Sequence, residues 1–113
     1  MNPSDYRGLF DLNGQTAIIT GAGRGIGLSI ADALSAWGAN IVVAELDATT
    51  CAMTEARLRK SGGKALGVQA DITSLTQLRT VFDRAEETFG GFDILVNNAG
   101  ISARIPAEEY PDE

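Results

Sequence analysis

Residues 20–27 read TGAGRGIG, four glycines in eight residues, directly after the apolar run AIIT and just before a helical pattern. Glycines at the mouth of a strand let backbone N–H groups approach a phosphate, and the first turn of the next helix adds unpaired donors and a partial positive charge. Side chains there would hold a diphosphate away. The spacing is selective. GxGxxG does not fit, because Ile26 stands three residues past Gly23 and Leu28 three past Gly25. A Walker A loop also fails, since no Gly-Lys-Ser/Thr follows. The pattern that fits is TGxxxGxG, with Gly21, Gly25 and Gly27 at its fixed positions.

A glycine loop can also serve tight strand–helix packing alone, so the other polar groups decide. Glu45 ends a second apolar run, 18 positions after Gly27, near the spacing of about 20 at which a carboxylate holds ribose hydroxyls. Asp71–Ile72 follows a third run, where a side chain and a backbone amide can flank an adenine. Asn97–Asn98–Ala99–Gly100 closes a fourth. Taken singly, Glu45 is a solvated strand end, Asp71 a turn residue and the asparagines loop formers. Together they fall at the carboxyl ends of successive strands, where open α/β sheets bind ligands.

The elements that must position them are four apolar runs: QTAIIT (15–20), NIVVA (40–44), KALGVQA (64–70) and DILVNN (93–98). They lack polar alternation, which suits strands buried on both faces of a parallel sheet. Between them lie helical patterns. Ile26, Ile30, Leu34 and Trp37 recur at helical spacing and predict one core-facing stripe, ended by Gly38. Leu75, Leu78, Phe82, Ala85 and Phe89 predict a stronger stripe, opened by a Ser74–Gln77 capping box and stopped by Gly90–Gly91. A third helix is expected from about Thr49 to Ser61, closed by Gly62–Gly63. The β-α-β-α-β-α-β order predicts an α/β fold with a doubly wound parallel sheet and helices on both faces. The expected organisation is a lead-in over 1–14, with Leu9, Phe10 and Leu12 tacking it to the body, a nucleotide-binding unit over 15–100 and a tail over 101–113.

Composition narrows the chemistry. The chain has 113 residues, 44% of them apolar, and a net charge of −6. That balance argues against a nucleic-acid surface, which needs clustered basic residues. The densest basic group, Arg57, Arg59 and Lys60, is expected to be a solvated helix face. Histidine is absent and Cys51 is the only cysteine, so no His/Cys zinc site, internal disulfide or Ser–His or Cys–His pair can form within one chain. Cys51 is expected to fill space on its helix. No apolar run approaches a membrane span, and MNPSDYRGLFDLNG has no signal-peptide core. The expected location is cytoplasmic, with no membrane and no nucleic-acid partner.

TGAGRGIG, Glu45, Asp71–Ile72 and NNAG at 97–100 together resemble the short-chain dehydrogenase/reductase family, over about Leu9 to Gly100. The resemblance implies a partial Rossmann-type sheet of order 3-2-1-4 and a nicotinamide dinucleotide cofactor. By that likeness Gly21, Gly23, Arg24, Gly25, Ile26 and Gly27 would cradle the pyrophosphate, and Glu45 would clasp the adenosine ribose. Asp71 and Ile72 would contact the adenine. Asn98, Ala99 and Gly100 would brace the central strand and touch the cofactor's ribose side. Charge-assisted bonds from ribose hydroxyls to Glu45 are worth about 1.5–3 kcal/mol. A 2′-phosphate there would meet like charge, at a cost of about 1–4 kcal/mol at 4 Å for effective dielectrics of 80 down to 20. The expectation is NAD(H) over NADP(H). Arg24 dissents: a basic side chain in this loop can reach a 2′-phosphate, and it can equally be a solvated loop residue.

Family members move hydride between nicotinamide and a carbonyl or hydroxyl carbon with a Tyr, a Lys four residues later, a Ser and an Asn, all beyond NNAG. Here Phe10 stands four past Tyr6, and Tyr110 and Ser102 lie too soon after NNAG. No catalytic residue and no metal ligand is assigned. The expectation is the cofactor-binding half of a larger alcohol–carbonyl oxidoreductase, inactive by itself, whose parent is a homo-oligomer. LFDLNGQTAIITG and Arg104–Ile105–Pro106 resemble sugar or polyol dehydrogenases of the family, such as gluconate or ketogluconate types. Two rivals differ in class: a naturally short, non-catalytic nucleotide-binding or interaction module, and an S-adenosylmethionine methyltransferase, which calls for neither TGxxxGxG nor NNAG. The order 3-2-1-4 would also leave DILVNN as an exposed apolar edge, which invites self-association.

Overall fold

Short runs rich in β-branched and small apolar residues form the strands β1 (Thr16–Thr20), β2 (Asn40–Glu45), β3 (Ala65–Gln69) and β4 (Ile94–Asn97). Between them lie the helices α1 (Gly25–Ala36), α2 (Ala48–Lys60) and α3 (Leu75–Phe89). The computed structural model describes residues 11–98. All strand pairs are parallel, and the order is β3-β2-β1-β4, as the resemblance implies. Of the lead-in, Leu12 packs on the core and donates its N–H to the Trp37 carbonyl at 2.8 Å. Leu9 and Phe10 lie outside the described residues.

Alternation along each strand builds two cores from one sheet. Ala17, Ile19, Ile41 and Val43 face α1 and α2, where Ala31, Cys51 and Leu58 meet them. Ile18, Val42, Leu66 and Val68 face α3, where Val81 and Ala85 meet them. Cys51 fills space as expected, with its thiol over the Val43 carbonyl, and burial pushes that thiol's pKa up. At the other end of the sheet Asp93 ties β1 to β4. Its carboxylate accepts from the Thr16 N–H at 2.9 Å, while its own N–H donates to the Thr16 carbonyl at 2.8 Å.

Two helical stripes are placed differently from expectation. On α1 the buried residues are Gly27 and Ala31, flanked by half-buried Ile30 and Leu34, whereas Ile26 is 64% exposed and Trp37 is exposed. Small residues therefore occupy the line along which α1 meets the sheet, and the large apolar residues at its two ends stay exposed. On α3 the buried residues are Val81 and Ala85; Phe82 and Phe89 pack partly, and Leu75 is 83% exposed. The Ser74–Gln77 capping box is half formed. Ser74 Oγ accepts from the Gln77 N–H at 3.3 Å. The Ser74 N–H is already donated to the Asp71 carbonyl, so the Gln77 side chain accepts from the Asp71 N–H instead, at 2.7 Å.

The two sheet edges differ. On β3 the residues pointing away from β2 present backbone groups at the rim, and α2 side chains take two of them. Arg59 Nε donates to the Ala65 carbonyl at 2.9 Å, and the Glu55 carboxylate accepts from the Gly67 N–H. Arg59 and Glu55 also pair with each other at 3.3 Å. Covering an edge in this way blocks a further strand. Arg57 pairs with Asp32 at 2.8 Å, so two of the three basic residues expected on a merely solvated face have partners. On β4 Leu95 is exposed at the rim, in keeping with the apolar edge expected there.

Candidate functional site

At the carboxyl ends of β1, β2 and β3 the chain closes around a cavity of about 330 Å³, within the range of small-ligand sites. Five of the residues singled out in the sequence line it together: Gly21, Arg24, Glu45, Asp71 and Ile72. They come from three separate strand ends, so only the parallel register can assemble them. Gly21 donates its N–H to the Ala44 carbonyl at 2.9 Å, and Ala70 donates to the Glu45 carbonyl at 3.0 Å, which fixes the three mouths at one level.

The four loop glycines divide into two jobs. Gly21 and Gly25 hold positive φ, 64° and 60°, a conformation that costs an L-residue roughly 1–2 kcal/mol. Gly23 and Gly27 are needed for space instead. A Cβ on Gly23 would collide with Thr50 Cγ2 and press on Glu45 Oε2. A Cβ on Gly27 would collide with the Gly21 carbonyl and with Asn98 Nδ2.

Helix α1 begins straight from this loop. Arg24 occupies its N-cap position without a side-chain capping bond, and its first turn holds no acid. The other two helices are capped, α2 by Asp47 accepting from the Thr50 N–H at 2.8 Å and α3 by Ser74. The first-turn donors of α1 are therefore left for an anion or water.

Asn98 is 1% exposed and sits behind the loop. Its N–H donates to Thr20 Oγ1 at 2.9 Å, and its Nδ2 donates to the Gly21 carbonyl at 3.2 Å. Thr20 Oγ1 in turn lies 3.3 Å from the Val96 carbonyl. Here Asn98 braces the glycine loop against the end of β4 and does not line the cavity. Ile26, expected both in the helix core and at the site, lies exposed on the first turn of α1, outside the cavity lining. Ala99 and Gly100 lie outside the described residues, as do Tyr6, Ser102, Arg104 and Tyr110.

Three contributors escaped the sequence reading. Leu46 and Thr73 line the cavity, and Asp47 caps α2 beside it. Asp47 stood in the open, because an Asp three residues before a helical donor is a capping signal. Thr73 could have been found from Asp-x-Thr, the pattern of an Asx turn. Asp71 Oδ1 accepts from the Thr73 hydroxyl at 2.6 Å and from the Thr73 N–H at 3.0 Å. Those two bonds, the hydroxyl's first, hold the Asp71 carboxyl below the usual carboxylate range. A depressed folded pKa contributes stability in full above the ordinary carboxylate pKa, and that contribution is lost as pH falls through the lower folded value. Thr73→Val removes the hydroxyl and should raise the Asp71 pKa toward normal, moving its acid transition to higher pH. Carboxyl-carbon NMR titration reads this directly, and an unmoved Asp71 resonance would refute the assignment.

A family profile described as short chain dehydrogenase matches residues 15–113. The chain belongs to the short-chain dehydrogenase family. Among curated relatives, galactitol 2-dehydrogenase of Agrobacterium fabrum is 41% identical over 102 residues, which is 90% of this chain and 39% of that protein. D-beta-hydroxybutyrate dehydrogenase of Cupriavidus necator is also 41% identical, over 90% of this chain and 40% of that protein. The chain thus spans about two-fifths of the length of these relatives. Among solved structures, a short chain dehydrogenase/reductase from Burkholderia phymatum in complex with NAD superposes with a TM-score of 0.73 at 35% identity, covering 76% of this chain and 31% of that one. Membership in the short-chain dehydrogenase family accounts for TGxxxGxG and leaves the methyltransferase alternative without support.

Proposed function

We propose that this chain is the NAD(H)-binding portion of an oxidoreductase that interconverts an alcohol and a carbonyl by hydride transfer. One observation carries the reading: residues from three strand ends, including Gly21 and Arg24 of the glycine loop and the Glu45 carboxylate, line one cavity at the carboxyl edge of the sheet. The fit to a dinucleotide is physical. Gly23 and Gly27 let the loop close on Thr50, Glu45 and Asn98, and the first turn of α1 keeps its donors uncapped, so a diphosphate can sit on that turn. Glu45 would accept from the adenosine ribose hydroxyls. Asp71 spends Oδ1 on Thr73 and keeps Oδ2 as an acceptor for an exocyclic amine, with Ile72 and Leu46 offering apolar contact to the base. The nicotinamide, when bound, supplies or accepts the hydride; the groups that move the proton belong to residues beyond NNAG in the family pattern.

The Burkholderia phymatum structure, solved with NAD, supports the nicotinamide dinucleotide. Glu45 supports NAD over NADP, because a 2′-phosphate beside it would meet a like charge. A sugar or polyol substrate draws support from the galactitol enzyme. The 5-keto-D-gluconate 5-reductase of Escherichia coli, 32% identical over 93% of this chain, adds to that support. The hydroxybutyrate enzyme, however, matches as large a share of the chain as the galactitol enzyme does, so the cofactor half is shared between substrates. Calorimetric titration of the chain with NAD and with NADP tests the proposal. NAD is expected to bind at least about tenfold tighter, the equivalent of about 1.4 kcal/mol. No heat with either dinucleotide would overturn the binding proposal, and equal affinities would overturn the preference.

A further inference from the structure

Glu45 makes a contact that a simple ribose clasp does not require. Its Oε2 accepts from the Gly23 N–H at 3.2 Å, across 22 positions of sequence. Gly23 sits at the crest of the loop, where an added Cβ would run into Thr50 Cγ2 and this same carboxylate. Thr50 is in turn held by the α2 cap, its N–H donated to Asp47 at 2.8 Å. The loop is therefore tied to the end of β2 twice, by the main-chain bond from Gly21 to Ala44 at its root and by the Glu45 side chain at its crest. A loop of alternating glycines has large conformational freedom to lose on ordering. A tie at its crest removes part of that freedom before any ligand arrives, which is how preorganisation raises affinity.

The geometry points to Glu45 as a positioning residue for the glycine loop as well as a chooser of ribose over ribose phosphate. This deepens the proposed function and rests on that reading for its ligand. One carboxylate can serve both tasks, because Oε2 is spent on the loop and Oε1 stays available to a ribose hydroxyl, and a carboxylate accepts about four hydrogen bonds. The two tasks respond to different properties of the side chain. Repulsion of a 2′-phosphate needs the negative charge. Holding the Gly23 N–H needs only an acceptor oxygen at the right reach. Deleting the side chain to admit NADP should therefore relax the loop and weaken the grip on the diphosphate that both cofactors share.

Two variants of the full chain separate these properties. Glu45→Gln removes the charge and keeps a carbonyl acceptor of the same length; Glu45→Ala removes both. The first readout needs no cofactor: amide hydrogen exchange at Gly23, followed by NMR. A hydrogen bond to a charged group is among the stronger ones a backbone amide makes, so Glu45→Ala should exchange at least about tenfold faster than the parent at Gly23. Glu45→Gln, whose neutral acceptor makes a weaker bond, should fall between the two and exchange at least about threefold more slowly than Glu45→Ala. The second readout is affinity for NAD and NADP. Both variants should shift the ratio toward NADP, but Glu45→Ala should bind each cofactor about tenfold more weakly than Glu45→Gln does. Unchanged Gly23 exchange in Glu45→Ala, or identical affinities for the two variants, would overturn the positioning role. If the parent chain binds neither dinucleotide, the proposed function fails, and the exchange rates still judge the positioning role independently.

Discussion

Gly27→Ala is expected to destabilise the fold by about 1–3 kcal/mol and to take dinucleotide binding down with it. Local propensity says the opposite. Gly27 lies inside α1, where alanine is favoured over glycine by about 0.8–1.0 kcal/mol, so a reading of the helix alone predicts a more stable protein. The new methyl, however, would land on the Gly21 carbonyl and on Asn98 Nδ2. The carbonyl is main chain and cannot swing aside. Asn98 is held by its own bonds to Thr20 and Gly21. Relief requires α1 to move off β1, and the first-turn donors move with it. Overpacking outweighs propensity, and the sign reverses. Urea denaturation reads the outcome: the midpoint falls if the packing argument holds, and a raised midpoint would sink it.

The second large effect is in the core. Ile18 lies on central strand β1, fully buried, in the cluster that faces α3. Truncation to alanine is expected to cost about 2–5 kcal/mol, lost burial plus the cavity left behind. Domains are stable by only about 5–15 kcal/mol, so Ile18→Ala should leave little margin at room temperature. Leu75→Ala supplies the contrast. Leu75 belongs to the apolar stripe legible in the sequence, yet it is 83% exposed at the start of α3, and its loss should change stability by no more than about 0.5 kcal/mol. Thermal or urea melts of the two variants separate a core defined by contacts from one defined by pattern. Equal losses at both positions would mean that the helix stripe packs as its periodicity suggests.

Much of the molecule was legible from local signals. The strand and helix order follows from apolar runs broken by glycines, and hydrophobic period is a property of neighbours in the chain. The parallel sheet and its order follow from alternation of strand and helix, together with the family resemblance. The ligand end of the sheet was legible too, because Gly21, Glu45 and Asp71 each end or follow a strand and parallel strands bring those ends to one edge. What the chain alone left undecided depends on distances between segments far apart in sequence. Ile26, Trp37 and Leu75 fit helical stripes, but only the packing of helix on sheet decides that they stay exposed. Gly21 and Gly25 look the same as Gly23 and Gly27 in the motif. Their separate jobs emerge once Thr50, Glu45 and Asn98 close on the loop. By itself Asn98 reads as a loop former and by the family likeness as a brace of the central strand; that it holds the Gly21 carbonyl across 77 positions is decided only in space. Short-range pattern determined which elements form and in what order; through-space contact decided which atoms they press together, because no local period encodes where the other segment will be.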